Sequence, residues 1–143
     1  HRCGELGHMT LVPHGRKCYC GQKGCVDSYC SALRLSDATN GNLHLFFERL
    51  EQNDSNCKKI WEEYLEYLCI TIHNVNITMD CNILLGGYVG WYLGPYLEGI
   101  RKRVIALSGF ETDGMFVQPT KYNENSSALG AALSFVKNFI EKI

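Results

Sequence analysis

Three cysteines lie close together near the start of this chain. Within eight residues the sequence holds Cys18, Cys20 and Cys25 with two glycines between them, and His8 lies ten positions before the first thiol. Zinc held by three thiolates and one imidazole is a common closed structural site. The glycines give the backbone the freedom that successive sulfurs need in order to converge on one point. The spacing therefore predicts a structural metal site with four protein ligands and no open position for water.

The fourth ligand is the least constrained member of this set, because Cys3, His14 and Cys30 are also close in sequence. One alternative is that the cysteines pack as small hydrophobes, as free Cys often does. A disulfide framework is the other alternative, but it is typical of small exported domains, and no signal peptide precedes the first motif. The apolar stretches are also too short to cross a bilayer. We therefore expect a cytoplasmic zinc protein that has no membrane partner.

Composition and charge limit the class of protein. The 143 residues are 45% apolar and 20% charged, and the formal net charge is −1. These values are those of an ordinary globular domain that can bury a sizeable core. The charge lacks the basic footprint of a surface that binds nucleic acid. This part of the chain is therefore not expected to bind DNA itself.

Hydrophobic spacing predicts an α/β body after the cysteine loop. Short apolar runs at residues 82–85 and 115–118 are typical of buried strands. Strand–helix–strand–helix order implies parallel strands covered by helices. The last helix carries an apolar face with Leu129, Leu133 and Val136. Helical periodicity covers four segments, at about residues 42–51, 55–76, 92–106 and from 126 onward.

Gly86 and Gly87 end the first predicted strand, immediately before a helix. Ligands of open α/β sheets bind outside the carboxyl ends of the strands. Residues without side chains allow a nucleotide or a sugar to approach the backbone closely. A tight turn without a ligand explains the same pair, so the spacing alone leaves both alternatives open.

Two carboxylates accompany the predicted metal ligands. Glu5 lies three residues before His8, and Asp27 lies two residues after Cys25. A carboxylate beside a metal-fixed imidazole can accept hydrogen bonds from the hydroxyls of a ligand. Two acids and one imidazole around a rigid loop therefore suit a polyol. For Glu5, the alternative is a surface side chain that caps the chain or pairs with a nearby base.

The sequence resembles the signature of the ROK family, which comprises bacterial repressors, sugar kinases and uncharacterised open reading frames. The likeness lies in two consecutive stretches, GELGHMTLVP at residues 4–13 and CYCGQKGCVD at residues 18–27. Two later stretches, LLGG at residues 84–87 and SALGAA at residues 127–132, resemble the nucleotide-side segments of the family. Together these stretches extend the resemblance over essentially the whole chain.

The resemblance implies an actin-like ATPase fold of the sugar-kinase type, which is ribonuclease H-like and in which two lobes close over a hexose. Residues 1–143 would form a single carboxy-terminal lobe, with a sugar-contact and zinc loop at 1–30 and an α/β body at 31–143. The amino-terminal lobe and any DNA-binding domain would be absent from this chain. ROK proteins are commonly dimers or tetramers, so the resemblance also implies a homodimer or a higher oligomer.

The resemblance assigns roles to individual residues. Glu5, His8 and Asp27 would contact hydroxyls of the sugar. The family's sugar kinases usually have Glu at the position of Asp27, where it contacts the sugar near its anomeric end, and the shorter Asp alters that contact. The zinc ligands would be His8, Cys18, Cys20 and Cys25.

Two functions follow from the resemblance, and a zinc-stabilised oligomerisation lobe without a ligand site is a third alternative. The first is the sugar-sensing effector domain of a zinc-stabilised transcriptional regulator, similar to xylose or N-acetylglucosamine repressors, which would contact DNA only through the absent amino-terminal domain. The alternative is the carboxy-terminal lobe of a zinc-containing hexose kinase that uses ATP and Mg²⁺, with Gly86 and Gly87 on the nucleotide side. The phosphate loop and the Asp general base of family kinases would lie before His1, so we expect no catalytic residue in this chain. In both cases the partner is a monosaccharide.

Overall fold

The computed structural model describes residues 4–110, 113–120 and 126–140. Single 3-10 turns lie at Leu6–His8, Asp37–Thr39 and Gly94–Tyr96. Within the described segments, no helix has the length and apolar character needed to cross a membrane. The helices and strands follow in the order α1 (Asp27–Cys30), α2 (Ala32–Ser36), α3 (Leu43–Glu51), α4 (Ser55–Met79), β1 (Ile83–Leu85), α5 (Gly87–Gly90), α6 (Leu97–Leu107), β2 (Val117–Pro119) and α7 (Ser126–Ile140).

Side-chain caps define where α3 and α4 begin. The Asn42 side-chain oxygen accepts a hydrogen bond from the amide of Leu45 at 2.9 Å. The Asp54 carboxylate accepts one from the amide of Cys57 at 2.8 Å. Each cap satisfies a backbone donor that has no partner within its own helix. The helix starts predicted near residues 42 and 55 are therefore confirmed.

The strands β1 and β2 are parallel, as their order in the sequence predicts. Ile83 pairs with Val117, and Leu85 pairs with Pro119 at the far end of the ladder. The guanidinium of Arg101 in α6 donates to the Val117 carbonyl from Nε at 3.1 Å and from Nη2 at 2.9 Å. These hydrogen bonds connect α6 to β2.

The core forms where α4 meets α1, α3 and α6. Phe47 stacks on Tyr92 with ring centroids 3.9 Å apart, and the edge of Trp61 meets Phe47 at 5.4 Å. Removing such large apolar side chains from water is the main favourable contribution to folding. The buried side chains of this core include Leu35, Phe46, Phe47, Leu50, Trp61, Tyr64, Leu65, Ile72, Ile100, Val104 and Val117.

One expectation about the later helices is wrong in detail. The helix predicted from residue 92 begins at Leu97, because Pro95 lies in the 3-10 turn before it and has no amide to donate. The apolar face of α7 is exposed at Leu129, Leu133 and Val136. Periodicity predicts which side chains share a helix face, but not whether another surface covers that face.

Arg16 of the cysteine loop and Arg34 of α2 both bond Glu63 of α4, and Arg16 also contacts Tyr29 of α1. Arg16 donates through Nη2 to both carboxylate oxygens of Glu63, at 2.8 and 2.9 Å, and Arg34 donates to Glu63 Oε2 at 2.8 Å. The Arg16 guanidinium lies 4.8 Å from the ring centroid of Tyr29. Partial burial opposes ionisation of Glu63, but the hydrogen bonds from the two arginines outweigh it and lower the pKa of this carboxyl group. Glu63 therefore joins the loop and α2 to the central helix.

We predict that Glu63→Ala destabilises the fold more than Glu62→Ala does. The Glu63 side chain is 33% exposed and bonds two arginines, whereas Glu62 is 61% exposed and pairs with Arg103 alone. Hydrogen bonds to charged groups are strong but are screened near the surface, so we expect a loss of about 1–2 kcal/mol for Glu63→Ala and less than about 0.5 kcal/mol for Glu62→Ala. Chemical denaturation measures both losses. Equal losses would contradict the role assigned to Glu63.

Candidate functional site

The four predicted metal ligands come together in the structure. One donor atom each from His8, Cys18, Cys20 and Cys25 lies within 4.8 Å of every other. The Cys20 and Cys25 sulfurs are 3.7 Å apart, and the Cys18 sulfur is 3.9 Å from His8 Nδ1. A tetrahedral zinc with Zn–S bonds of about 2.3 Å holds its sulfurs about 3.8 Å apart. The donor set and its spacing therefore fit zinc, with Nδ1 as the histidine nitrogen that faces the thiols.

Two of the other candidates for the fourth ligand, His14 and Cys30, are not members of this cluster. His14 is exposed on the loop. Cys30 lies on α1, where burial raises the pKa of its thiol to about 12. Cys3 lies outside the described residues. The seven cysteines in the described segments are all free thiols.

Backbone hydrogen bonds fold the loop so that the thiols converge. The Val12 amide donates to the Gly24 carbonyl at 3.0 Å, and the Gly24 amide donates to the Arg16 carbonyl at 2.8 Å. The Cys18 amide donates to the Gln22 carbonyl at 2.8 Å and closes the turn between the first and last thiols. Gly24 has a φ of +82°, and a Cβ there would collide with the Val12 carbonyl oxygen. The glycine is therefore required both for its conformation and for the close contact.

The thiols of the cluster differ in acidity. A hydrogen bond with the backbone of Cys20 lowers the pKa of the Cys18 thiol to about 7. Loss of hydration raises the pKa of Cys25 to about 11. Because a metal binds the thiolate and not the thiol, Cys18 offers an anionic sulfur near neutral pH, whereas Cys25 must lose its proton on binding.

The three predicted sugar-contact residues line two open depressions. Glu5 and His8, on the turn before the cysteines, line an open depression of about 620 Å³. Asp27, the first residue of α1, lines a second open depression of about 500 Å³ together with Tyr19. Both depressions adjoin the cysteine loop, and the sugar-contact roles of Glu5, His8 and Asp27 stay predictions.

Tyr19 contacts both His8 and Asp27, a role that its sequence position does not predict. Its hydroxyl donates to Asp27 Oδ2 at 3.0 Å and lies 3.3 Å from His8 Nε2. Its ring meets the His8 imidazole edge-on, with centroids 5.1 Å apart. The hydrogen bond to Asp27 raises the pKa of the Tyr19 hydroxyl. The sequence feature that could have indicated this role is the position of Tyr19 between Cys18 and Cys20, because two metal ligands hold its backbone beside the cluster.

Asp27 packs closely against the turn because Gly7 has no side chain. A Cβ on Gly7 would lie 2.5 Å from Asp27 Oδ1 and 2.8 Å from Oδ2. The carboxyl group of Asp27 therefore rests on the backbone of the turn that carries His8.

Gly86 and Gly87 lie at the carboxyl end of β1, as predicted, and they line neither of these depressions. Gly87 has a φ of +70°, a conformation that favours glycine. The Leu85 carbonyl accepts a hydrogen bond from the Thr120 amide at 2.9 Å, which holds the end of β1 beside the residue that follows β2. A turn accounts for Gly87, and a nucleotide contact at this pair stays a prediction.

The chain belongs to the ROK family, because the model of that family matches residues 2–138. The family resemblance noted in the sequence is thereby confirmed.

Several known proteins are similar to this chain. The N-acetylmannosamine kinases of Yersinia pestis (strain Pestoides F) and Yersinia pseudotuberculosis (serotype O:1b) are each 29% identical to it over 136 residues, covering 91% of the chain and 46% of the relative. The ROK hexokinase from Thermus thermophilus matches with a TM-score of 0.75 at 25% identity, covering 93% of this chain and 47% of that one.

A ROK family protein from Streptococcus pneumoniae TIGR4, solved in complex with sucrose, matches with a TM-score of 0.74 at 16% identity, covering 96% of this chain and 50% of that one. At this identity the match supports the fold alone. Together these matches support the predicted sugar-kinase type of fold. The chain spans about half the length of the proteins it matches.

We predict that Cys20→Ser removes most of the bound zinc, whereas Cys81→Ser leaves it unchanged. Both thiols are exposed, but only Cys20 belongs to the ligand cluster. The wild type should hold one zinc per chain, and Cys20→Ser should also unfold at a lower temperature, because zinc binding contributes to folding free energy. Elemental analysis after dialysis measures the metal. A wild type without zinc, or a Cys20→Ser variant with full occupancy, would contradict the metal site.

A second prediction compares two glycines of the loop. Gly24 and Gly21 both have positive φ, +82° and +89°, but a Cβ on Gly21 has no atom within 4 Å. Gly21→Ala should therefore cost only the conformational strain, about 1 kcal/mol. Gly24→Ala should destabilise the protein further and lower its zinc occupancy, because the Val12 backbone must move. Equal unfolding midpoints and equal zinc contents for the two variants would show that the close contact does not matter.

Proposed function

We propose that this chain is the sugar-binding, carboxy-terminal lobe of a ROK sugar kinase, held in shape by a structural zinc. The observation that carries the proposal is the shared use of His8, which belongs to the ligand cluster with its Nδ1 3.9 Å from the Cys18 sulfur, while its Nε2 lies 3.3 Å from the Tyr19 hydroxyl. Glu5 lies on the same turn and lines the same depression. The names of the similar proteins, N-acetylmannosamine kinase and ROK hexokinase, support the choice of a kinase.

The donor and acceptor groups of this depression suit a hexose. With Nδ1 bound to the metal, His8 Nε2 carries the proton and can donate to an oxygen of the ligand. The Glu5 carboxylate can accept hydrogen bonds from hydroxyl groups. A zinc held by four protein ligands fixes the imidazole ring and has no open position for water. Its role is therefore to orient His8 and not to activate a nucleophile.

Phosphoryl transfer to a sugar also needs a general base and groups that bind the phosphates. We assign no catalytic residue within this chain, so these groups would come from residues outside it. ATP and Mg²⁺ would be the cofactors of the whole enzyme, with Gly86 and Gly87 as candidates on the nucleotide side. A homodimer or a higher oligomer stays a prediction from the family resemblance.

A sugar-sensing transcriptional regulator is the second candidate. The observation that favours it is Asp27, which replaces the Glu usual in the family's sugar kinases and whose carboxylate bonds Tyr19. A sensor needs only a sugar that binds two states with different affinities, because that difference shifts their populations. ATP-dependent phosphorylation of N-acetylmannosamine or glucose by the full-length protein would support the kinase. Sugar-dependent release of DNA without turnover would support the regulator.

Both functions predict that Glu5→Ala weakens sugar binding. Loss of a hydrogen bond to a charged group should raise the Kd for the bound hexose about 10- to 100-fold. The control is Glu51→Ala, which removes an exposed carboxylate at the end of α3. Calorimetric titration of the full-length protein with N-acetylmannosamine and with glucose measures the affinity. Zinc content should stay equal in both variants, and an unchanged Kd in Glu5→Ala would contradict the assigned role.

A further inference from the structure

The Tyr19 hydroxyl contacts two groups, on His8 and Asp27, that are proposed to bind the sugar. Its hydroxyl lies 3.0 Å from Asp27 Oδ2 and 3.3 Å from His8 Nε2. A phenol has one proton to donate and lone pairs that can accept. It can therefore donate to the carboxylate and accept from a protonated Nε2 at the same time. A sugar hydroxyl that bridged His8 and Asp27 would make the same pair of hydrogen bonds.

The Tyr19 hydroxyl lies between two of the proposed sugar contacts, His8 and Asp27. Glu5 and His8 line one depression, whereas Asp27 and Tyr19 line the other. A ligand group that contacted both His8 Nε2 and Asp27 Oδ2 would lie between these two atoms. The Tyr19 hydroxyl occupies that place.

The Tyr19 side chain is placed so that it can move. It is 79% exposed, and rotamer changes of exposed side chains occur within nanoseconds. Its ring contacts the His8 imidazole at a centroid distance of 5.1 Å. Exposed hydrogen bonds contribute little net free energy, because water replaces them when they break. The backbone on either side belongs to two metal ligands, so a movement of the side chain leaves the loop itself in place.

We propose that Tyr19 is a specificity-determining residue of the sugar site, an inference that rests on the proposed function. Its hydroxyl stands in the position of a ligand hydroxyl between His8 and Asp27, and a hexose that bridges these two residues must displace it. The new contact with Asp27 is then offset by the loss of the Tyr19 hydrogen bonds. The wild type therefore discriminates weakly between a hexose and the analogue that lacks the hydroxyl directed at Asp27.

The test compares Tyr19→Phe with the wild type in the full-length protein. Phenylalanine keeps the ring beside His8 but cannot compete for Asp27 or for Nε2. The probes are glucose and 1,5-anhydroglucitol, its analogue without the anomeric hydroxyl, together with N-acetylmannosamine. We expect the Kd for the hexose that binds to fall about 3- to 10-fold in Tyr19→Phe. The affinity for 1,5-anhydroglucitol should change less. If glucose is the ligand, Tyr19→Phe should therefore prefer glucose over this analogue more strongly than the wild type does.

Two controls make the result specific. Tyr88→Phe alters an exposed tyrosine on α5 and should leave the sugar affinity unchanged. In an Asp27→Ala background the gain from Tyr19→Phe should be smaller, because only His8 Nε2 is then released. Weaker hexose binding in Tyr19→Phe would show that the phenol contacts the sugar directly, and this would overturn the proposal. An unchanged Kd, or loss of zinc from Tyr19→Phe, would overturn it as well.

If the proposed function itself is wrong, the experiments will give a different result. A wild type that holds zinc but binds none of the three sugars would refute the proposed function, and this inference with it. A wild type that binds a sugar and is weakened by Glu5→Ala, yet is not strengthened by Tyr19→Phe, would refute only the role of Tyr19.

Discussion

The convergence of one imidazole and three thiols constrains the rest of the loop. Four donor atoms within 4.8 Å of one another require tight turns, and the chain provides them at Gly21 and Gly24, where φ is positive. The same constraint determines what lies around the cluster. Tyr19 stands between two ligands, and Gly7 lies next to His8 on the turn that Asp27 packs against. Groups suited to contacting a ligand are therefore positioned by the groups suited to binding the metal.

A second set of contacts transmits this arrangement to the body of the domain. Tyr29 of α1 accepts a hydrogen bond from the Arg16 amide at 2.8 Å, and its ring lies 4.4 Å from that of Tyr67 on α4. Glu63 on the same helix bonds Arg16 and Arg34. The central helix α4 thus holds the loop in place through Glu63 and Tyr67. A loop with little secondary structure of its own can be rigid when a metal and a packed helix restrain it from two sides.

Local chemistry was predictable from the sequence, and tertiary placement was not. Cysteine spacing predicted the ligand cluster, and helical periodicity predicted where α3 and α4 begin, because both signals lie within a few positions of the feature. The role of Tyr19 depends on partners eight and eleven positions away in a folded loop, which no periodicity encodes. The exposure of Leu133 on α7 follows from what packs beside the helix and not from its own pattern.

The central claim is that the metal holds the sugar contacts in place, and its most direct test is the sugar affinity of the full-length protein with and without zinc. N-acetylmannosamine and glucose would be titrated before chelation, after removal of the metal, and after return of Zn²⁺ or of Mg²⁺ alone. The account predicts that binding is lost with the metal and returns with Zn²⁺ but not with Mg²⁺. Equal affinity in the zinc-free protein would contradict it.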